Sequence, residues 1–376
     1  METHFDIPSS VLFGAGSRLQ LSQELKKLGA ARVLLVTDQR LRDAETIETL
    51  RERLADDGIA ASIFSEVQPD PTDRNVFGGL DCLRNCNAEA IVAVGGGSVM
   101  DAAKIIGVAA TNREPLASFQ GYHRIPKPGL PLIAIPTTAG TGSEATKVAV
   151  ITDTERRVKM MIYDPKILPR VAIVDYELSL TMPAALTAYV GVDTLVHGME
   201  AYVSRKASGM TDPLALSCIQ LTSKYLRTAQ KEPENRKARE AMALAACQGG
   251  MAFSNSSVCL VHGMSRPIGA VFHLPHGLSN AVLLPAVTRF SIPGAPERYA
   301  RIRREMGWDE DLADGLERLN VELGIPKLRH ALGIERGEFE VHLKKMADDA
   351  LASGSPQNNP VVPSAEEIVD LYRRAW

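Results

Sequence analysis

The 376-residue sequence holds five cysteines (Cys82, Cys86, Cys218, Cys247 and Cys259), an odd number with no C-x-x-C pair, so neither a disulfide framework nor a four-thiolate zinc site is indicated. Cys82 and Cys86 in CLRNC can share a helical face, but two thiols make an incomplete metal site, and they read as ordinary buried or surface residues. A reducing, cytoplasmic setting is expected. Basic residues are not in excess: the net charge of -3 leaves no field to draw in a nucleic-acid backbone, so no nucleic-acid partner is expected. No stretch of about 18 uninterrupted apolar residues occurs, which argues against a membrane span. The opening METHFDIPSSVLFG has no basic region followed by an apolar run, so it does not read as a secretory signal. Aromatics make up only 5 %, which argues against a large aromatic pocket. No internal repeat and no low-complexity tract was found; SGSPQNNPVVPS (353–364) reads as a polar, Pro-rich loop before a last helix. Small-molecule chemistry is the class left standing.

What is present is a chain longer than one hydrophobic core usually covers, with two kinds of hydrophobic period. Before about residue 180, the β-branched runs RVLLVTD (32–38), ASIFSEV (61–67), AIVAVGG (90–96), PLIAIPTT (131–138) and RVAIVD (170–175) alternate with helical patterns, which predicts a parallel, doubly wound α/β sheet. After Pro183, segments such as AALTAYVGVDTLVHGMEAYVS show helical spacing with few strand signals. The expected organisation is a dinucleotide-binding α/β domain over 1–182 and an all-helical metal-binding domain over 183–376, with Pro183 as boundary and hinge and the reaction in the cleft between them.

Chemistry is suggested at three places. In AIVAVGGGSVMDAAK a strand runs through Gly95, Gly96 and Gly97 into a helix, which suits a phosphate at bare backbone N–H groups; Ser98 and Asp101 stand at capping-box spacing, and a well-capped helix after a tight turn is the plain alternative. The stretch is neither G-x-G-x-x-G nor a Walker A motif. Asp38 ends the strand RVLLVTD, where its carboxylate either accepts from a ribose diol, favouring NAD over NADP, or caps the next helix. TTAGTGSE (137–144) places Thr137 and Thr138 at a strand's carboxyl end, the edge where open α/β sheets bind ligands. Asp193 and His197, four apart in a helical pattern, leave one face roughly 6 Å apart along the axis. His262 and His273, eleven apart, would lie roughly 16 Å apart on an unbroken helix. Pro267, Gly269 and Pro275 suggest that the helix breaks, so that His276 in HLPHG can swing back toward His262. One carboxylate and three imidazoles suit Fe(II) or Zn(II), but spacing does not choose between His273 and His276, and satisfied core histidines remain the plain alternative.

Together GGGSVMDAAK, IPTTAGTGSEAT, GVDTLVHGMEAYVS and LVHGMSRPIGAVFHLPHGLSNA resemble the iron-containing (group III) alcohol dehydrogenase family, and the likeness runs from FGAGS near the N-terminus to the last helix. The resemblance implies a dehydroquinate synthase-like architecture and an NAD-linked, metal-dependent alcohol dehydrogenase or aldehyde reductase. It implies Asp193, His197, His262 and His276 as ligands of Fe(II), with Zn(II) as the alternative. It further implies Gly95 to Ser98, with Asp101 in the same motif, as the pyrophosphate loop, Asp38 at the adenosine ribose, Thr137 and Thr138 in the cofactor loop, and Lys159 near the cofactor. A homodimer acting on a small alcohol or aldehyde is expected. One position departs: many members carry a second histidine four residues after the third ligand, as in VHxMxHP, and here it is Arg266. A guanidinium stays protonated and cannot relay a proton, so His273 or water is expected to do so, while Arg266 makes a structural contact or recognises an anionic substrate such as a semialdehyde. Two further readings are a dehydroquinate synthase-like lyase and a non-catalytic metal or nucleotide sensor.

Overall fold

The computed structural model describes residues 4–376. The chain folds as two compact units, Asp6–Ser179 and Leu180–Trp376.

Nine strands lie in the first unit: β1 (Ser10–Phe13), β2 (Arg32–Asp38), β3 (Ala60–Val67), β4 (Ala90–Gly95), β5 (Gly121–Tyr122), β6 (Leu132–Pro136), β7 (Val148–Asp153), β8 (Val158–Tyr163) and β9 (Val171–Val174). Six form one sheet in the order β3-β2-β4-β6-β9-β1, and every neighbouring pair is parallel. The continuous Val, Ile, Leu and Ala runs of β4, β6 and β9 are buried throughout because both faces of a parallel sheet are covered. Alternate residues divide between two cores. Leu34, Val36, Ile91 and Ala93 meet α3 (Asp73–Asn85) and α4 (Gly97–Thr111), whereas Val33, Leu35, Val92 and Val94 meet α1 (Leu21–Lys27) and α2 (Glu45–Asp56).

The five strands expected from the sequence are all present, but the structure adds the edge strand β1 and a small sheet in which β7 and β8 pair antiparallel beside β5. Burial alternates residue by residue along β7, so VAVITD lacks the unbroken apolar run that marks a buried parallel strand. In the large sheet, β2 lies between β3 and β4, so the direction of strand addition reverses beside β2. Ligands of open α/β sheets bind outside the strand carboxyl ends at such a reversal. The carboxyl ends of β2 and β4 there are Asp38 and Gly95.

The second unit is helical among its described residues: α5 (Ala184–Val203), α6 (Asp212–Lys231), α7 (Arg236–Ser256), α8 (Leu260–Phe272), α9 (His276–Ser291), α10 (Pro296–Glu305), α11 (Leu312–Glu322), α12 (Leu328–Leu332), α13 (Arg336–Ala352) and α14 (Ala365–Ala375), with short 3-10 turns between some of them. Helix α5 is apolar over most of its circumference and packs against α6, α7 and α9, so the polar side chains it carries are buried with it. The chain break expected from Pro267, Gly269 and Pro275 is present, and of the three it falls at Pro275. Pro267 sits inside a continuous α8, which ends at His273 in the left-handed conformation (φ 55°, ψ 26°). Pro275 then restarts the chain as the N-cap of α9. A proline disfavours helical backbone in the residue before it, so the stop is enforced at Leu274 rather than at Pro267.

In the first unit, α4 is strapped to the segment that follows it in the chain. Buried Lys104 donates from Nζ to Ser143 Oγ (2.8 Å), Thr146 Oγ1 (3.0 Å) and the Val148 carbonyl (2.7 Å). Asp101 accepts from Ser143 Oγ and from the Val150 N–H, each at 2.9 Å. Burial draws the Lys104 ammonium down to about 8, against the pull of Asp101 and Glu144. Burial also raises the Asp101 carboxyl above its ordinary value. Lys104→Met removes the ammonium and leaves Asp101 without its counter-charge, so about 3 kcal/mol of stability is expected to be lost. Urea unfolding measures this, and an unchanged midpoint and slope would refute the strap.

Candidate active site

At the carboxyl edge of the parallel sheet, β4 turns directly into α4. Gly96 is the N-cap, extended at φ −82° and ψ −172°, and no side chain caps the helix. The capping box expected from Ser98 and Asp101 does not form: α4 begins at Gly97, one residue before Ser98, and the Asp101 carboxylate is taken up by Ser143 and Val150. The first-turn amides are thereby left to the positive end of a helix dipole, a setting suited to an anionic group. A Cβ on Gly95 would lie 2.6 Å from Val99 Cγ2, and one on Gly97 would lie 2.9 Å from Thr141 Cγ2, so glycine is what allows this turn to close. Gly96, Gly97 and Ser98 remain half-buried.

The neighbouring strand ends complete the edge. The Thr137 N–H donates to the Gly95 carbonyl (3.0 Å), and the Thr138 side chain stands beside Gly96. Asp38 does not cap α2, whose N-cap is Ala44; its Oδ1 accepts from the Arg40 and Leu41 N–H groups at 2.8 and 3.1 Å and closes the turn after β2. Lys159 on β8 is paired through Nζ with Asp70 at 2.7 Å. Asp38, Gly95 to Ser98, Thr137 and Thr138 therefore line the ends of three adjacent strands, and Lys159 meets the connection after a fourth, β3.

The second unit holds a compact donor cluster. Asp193 and His197 leave the same face of α5, His262 is the third residue of α8, and His276 is the first of α9. From Asp193 Oδ1 the distances to Nε2 are 3.8 Å for His197, 3.6 Å for His262 and 3.8 Å for His276. The ligand atoms of Asp193, His262 and His276 lie within 4.8 Å of one another. Donors at about 2.1 Å from one tetrahedral ion would stand roughly 3.4 Å apart, so the spacing fits one divalent cation. His273 is exposed at the end of α8, outside the cluster. Ring stacking orders the interior, with His197 lying 4.3 Å from Phe253 and 4.8 Å from His262, centroid to centroid.

Burial alone would raise the Asp193 carboxyl, but His197, His276 and His262 outweigh it and hold the acid below its ordinary value. Burial of its ring within the cluster, with His262, His197 and Arg266 adding positive charge, draws His276 down to about 4 even though 47 % of its side chain is accessible. A neutral imidazole and an ionised carboxylate at physiological pH are the forms that bind metals. Arg266, one turn past His262, donates to Ser355 Oγ (2.9 Å), so it makes a structural contact.

Two residues of the cluster escaped the sequence reading. Asn280 Nδ2 lies 2.6 Å from Asp193 Oδ1 and 3.2 Å from Nε2 of both His262 and His276, while its buried Oδ1 has no hydrogen-bond partner among the described residues. Glu200 meets His262 Nδ1 at 2.7 Å. Both carried a spacing signal, since Asn280 follows His276 by one helical turn and Glu200 continues the stripe of Asp193 and His197 along α5.

The family model described as iron-containing alcohol dehydrogenase matches residues 8–176, and that of the Fe-containing alcohol dehydrogenase family, C-terminal, matches residues 187–376. The chain is 38 % identical to the NAD-dependent methanol dehydrogenase of Bacillus methanolicus, over 99 % of this chain and 100 % of that one. It is 36 % identical to the lactaldehyde reductase of Escherichia coli strain K12, over 97 % of each. A crystal structure of 1,3-propanediol oxidoreductase superposes with a TM-score of 0.96 at 36 % identity, covering both chains completely. The chain belongs to the iron-containing alcohol dehydrogenase family and is an oxidoreductase that interconverts alcohols and aldehydes with NAD and a divalent metal.

Proposed function

We propose that Asp193, His197, His262 and His276 hold one Fe(II), with Zn(II) as the competing ion, and that the physiological substrate is a small primary alcohol or its aldehyde. The convergence of three imidazole Nε2 atoms within 3.6–3.8 Å of one buried carboxylate oxygen carries the reading. NAD takes the edge formed by Asp38, Gly95, Gly96, Gly97, Ser98, Thr137 and Thr138, with Lys159 beside it and Asp101 bracing the helix beneath the turn. When bound, the ion polarises the substrate oxygen and the nicotinamide gives or accepts the hydride.

The chain's own residues do the rest. Ionised Asp193 supplies the negative charge that keeps a cation in a buried place, and the imidazoles, which bind through a deprotonated Nε2, complete the donor set without adding charge. Backbone N–H groups of the β4–α4 turn receive the pyrophosphate, and the Asp38 carboxylate accepts from the ribose hydroxyls while repelling a 2′-phosphate. The hydroxyl proton of the alcohol passes to water or to His273, which is exposed at the end of α8. The three buried thiols Cys218, Cys247 and Cys259 accord with the reducing cytoplasm proposed as the setting, and the edge strand β1, with Val11 and Phe13 exposed, accords with a homodimer.

Absorbance of NADH with a panel of short aldehydes, read before and after chelation and metal return, tests the reaction and the ion together. Turnover that Fe(II) or Zn(II) restores is expected, and turnover that survives exhaustive chelation contradicts the reading. Asp193→Asn is expected to lose on the order of 10³ in kcat/KM, because the buried cation loses its only ionised ligand. For the nucleotide, Asp38→Gly should narrow the preference for NAD over NADP; a preference that does not move assigns Asp38 to the turn alone.

A second reading, reduction of an acidic aldehyde, would use the permanent positive charge of Arg266, which stands one turn past the ligand His262 on α8. Steady-state kinetics of Arg266→Ala decide it. A raised KM for acidic aldehydes with an unchanged KM for neutral ones supports anion recognition, and equal effects on both leave Arg266 as the support of Ser355.

A further inference from the structure

We infer that Glu200 is a positioning residue of the metal centre: its carboxylate fixes the tautomer and placement of His262, so that the Nε2 lone pair faces Asp193. This rests on the ligand set proposed above. Glu200 follows His197 by one turn on α5 and is buried. Its Oε1 accepts from the Val261 N–H at 2.6 Å, and its Oε2 accepts from the Cys259 N–H at 2.9 Å while lying 2.7 Å from His262 Nδ1.

An ionised carboxylate can only accept, so the ring nitrogen facing it must carry the proton. His262 is thereby held as the Nδ1–H form. Its lone pair then sits on Nε2, which lies 3.6 Å from Asp193 Oδ1. Which nitrogen of a metal-binding histidine is free is set by the hydrogen bond that the other one makes, and such outer partners hold the ring in the orientation the ion needs.

The same carboxylate starts α8. Cys259, the N-cap, makes no side-chain cap, and the N–H groups of Cys259 and Val261 both end on Glu200 instead. His262 is the next residue. One buried acid on α5 therefore sets both where α8 begins relative to Asp193 and which face of His262 can bind. In Glu200→Gln the amide cannot serve all three donors: with its oxygen toward the Val261 N–H, its NH2 meets both the Cys259 N–H and Nδ1 and drives the ring proton to Nε2, where the metal should bind; with its oxygen turned the other way, the Val261 N–H at the start of α8 loses its acceptor.

Chelator competition with Zn(II) on the full chain, beside the d–d spectrum of the Co(II)-loaded protein and the thermal midpoint of the metal-free protein, tests the inference. Glu200→Gln is expected to weaken Zn(II) binding by about 10–100-fold and to alter the Co(II) bands. A lower midpoint with Zn(II) affinity and Co(II) bands unchanged would reduce Glu200 to a helix cap and overturn the inference. Should Glu200→Gln fail to fold, histidine-selective 15N labelling of the unaltered, Zn(II)-loaded chain decides: a proton on His262 Nδ1 is expected, and a neutral ring with its proton on Nε2 and Nδ1 bare overturns it. His262→Ala separates the two proposals. If it binds Zn(II) as tightly as the unaltered protein, the ligand set itself fails; if it loses Zn(II) while Glu200→Gln does not, only the role of Glu200 fails.

Discussion

A single buried carboxylate organises the helical unit. Removing an ionised acid from water costs several kcal/mol unless positive charge or strong donors surround it, and Asp193 lies in the middle of a helix buried over most of its circumference. The arrangement around it answers that cost. His197 comes from the same helix, His262 and His276 from the two helices on either side of the break at His273, and Asn280 from one turn further along α9. Two of these elements exist in their observed form because of local backbone chemistry at Leu274 and Pro275, which ends α8 and brings the first residue of α9 back to the acid. A straight helix through this segment would have carried His276 some 20 Å along the axis from His262, by 14 residues at about 1.5 Å each.

The α/β unit solves a different problem with different means. Sheet topology places its ligand edge. The reversal beside β2 opens the carboxyl ends of β2 and β4 toward the same side, and the glycines at 95 and 97 let the chain turn tightly enough for a helix to start there uncapped. Beneath that turn, the Lys104 and Asp101 pair ties the helix to Ser143, Thr146, Val148 and Val150, so the amide ends of α4 and the threonine-bearing loop are held by one polar network.

Much of this is legible in the sequence. The five parallel strands were readable because strands covered on both faces need continuous Val, Ile and Leu runs, and the helical second half because its apolar period changes to that of a helix. The i, i+4 pair Asp193 and His197 followed from helix geometry. What escaped depended on tertiary context. Strand β7 alternates buried and half-buried residues, so VAVITD carried no buried-run signal. Pro267 looked like a breaker, yet α8 absorbs it, since the cost of one lost helical hydrogen bond is met by packing. Ser98 and Asp101 had capping-box spacing, but the helix starts one residue earlier and the acid finds partners from distant sequence. The choice between His273 and His276 could not be made from spacing, because it turns on the left-handed residue that ends α8. Glu200 and Asn280 were hidden for a similar reason: their spacing was visible, but the residues they touch lie 59 or more positions away for the first and up to 87 for the second.

The central claim is that one divalent ion sits among Asp193, His197, His262 and His276. Anomalous scattering from crystals grown with Fe(II), and again with Zn(II), addresses it directly. The account predicts one strong peak per chain at bonding distance from the Asp193 carboxylate and the Nε2 atoms of all three histidines, at the same position for both metals. A peak placed elsewhere, or one bonded to fewer than three of these four residues, would contradict it.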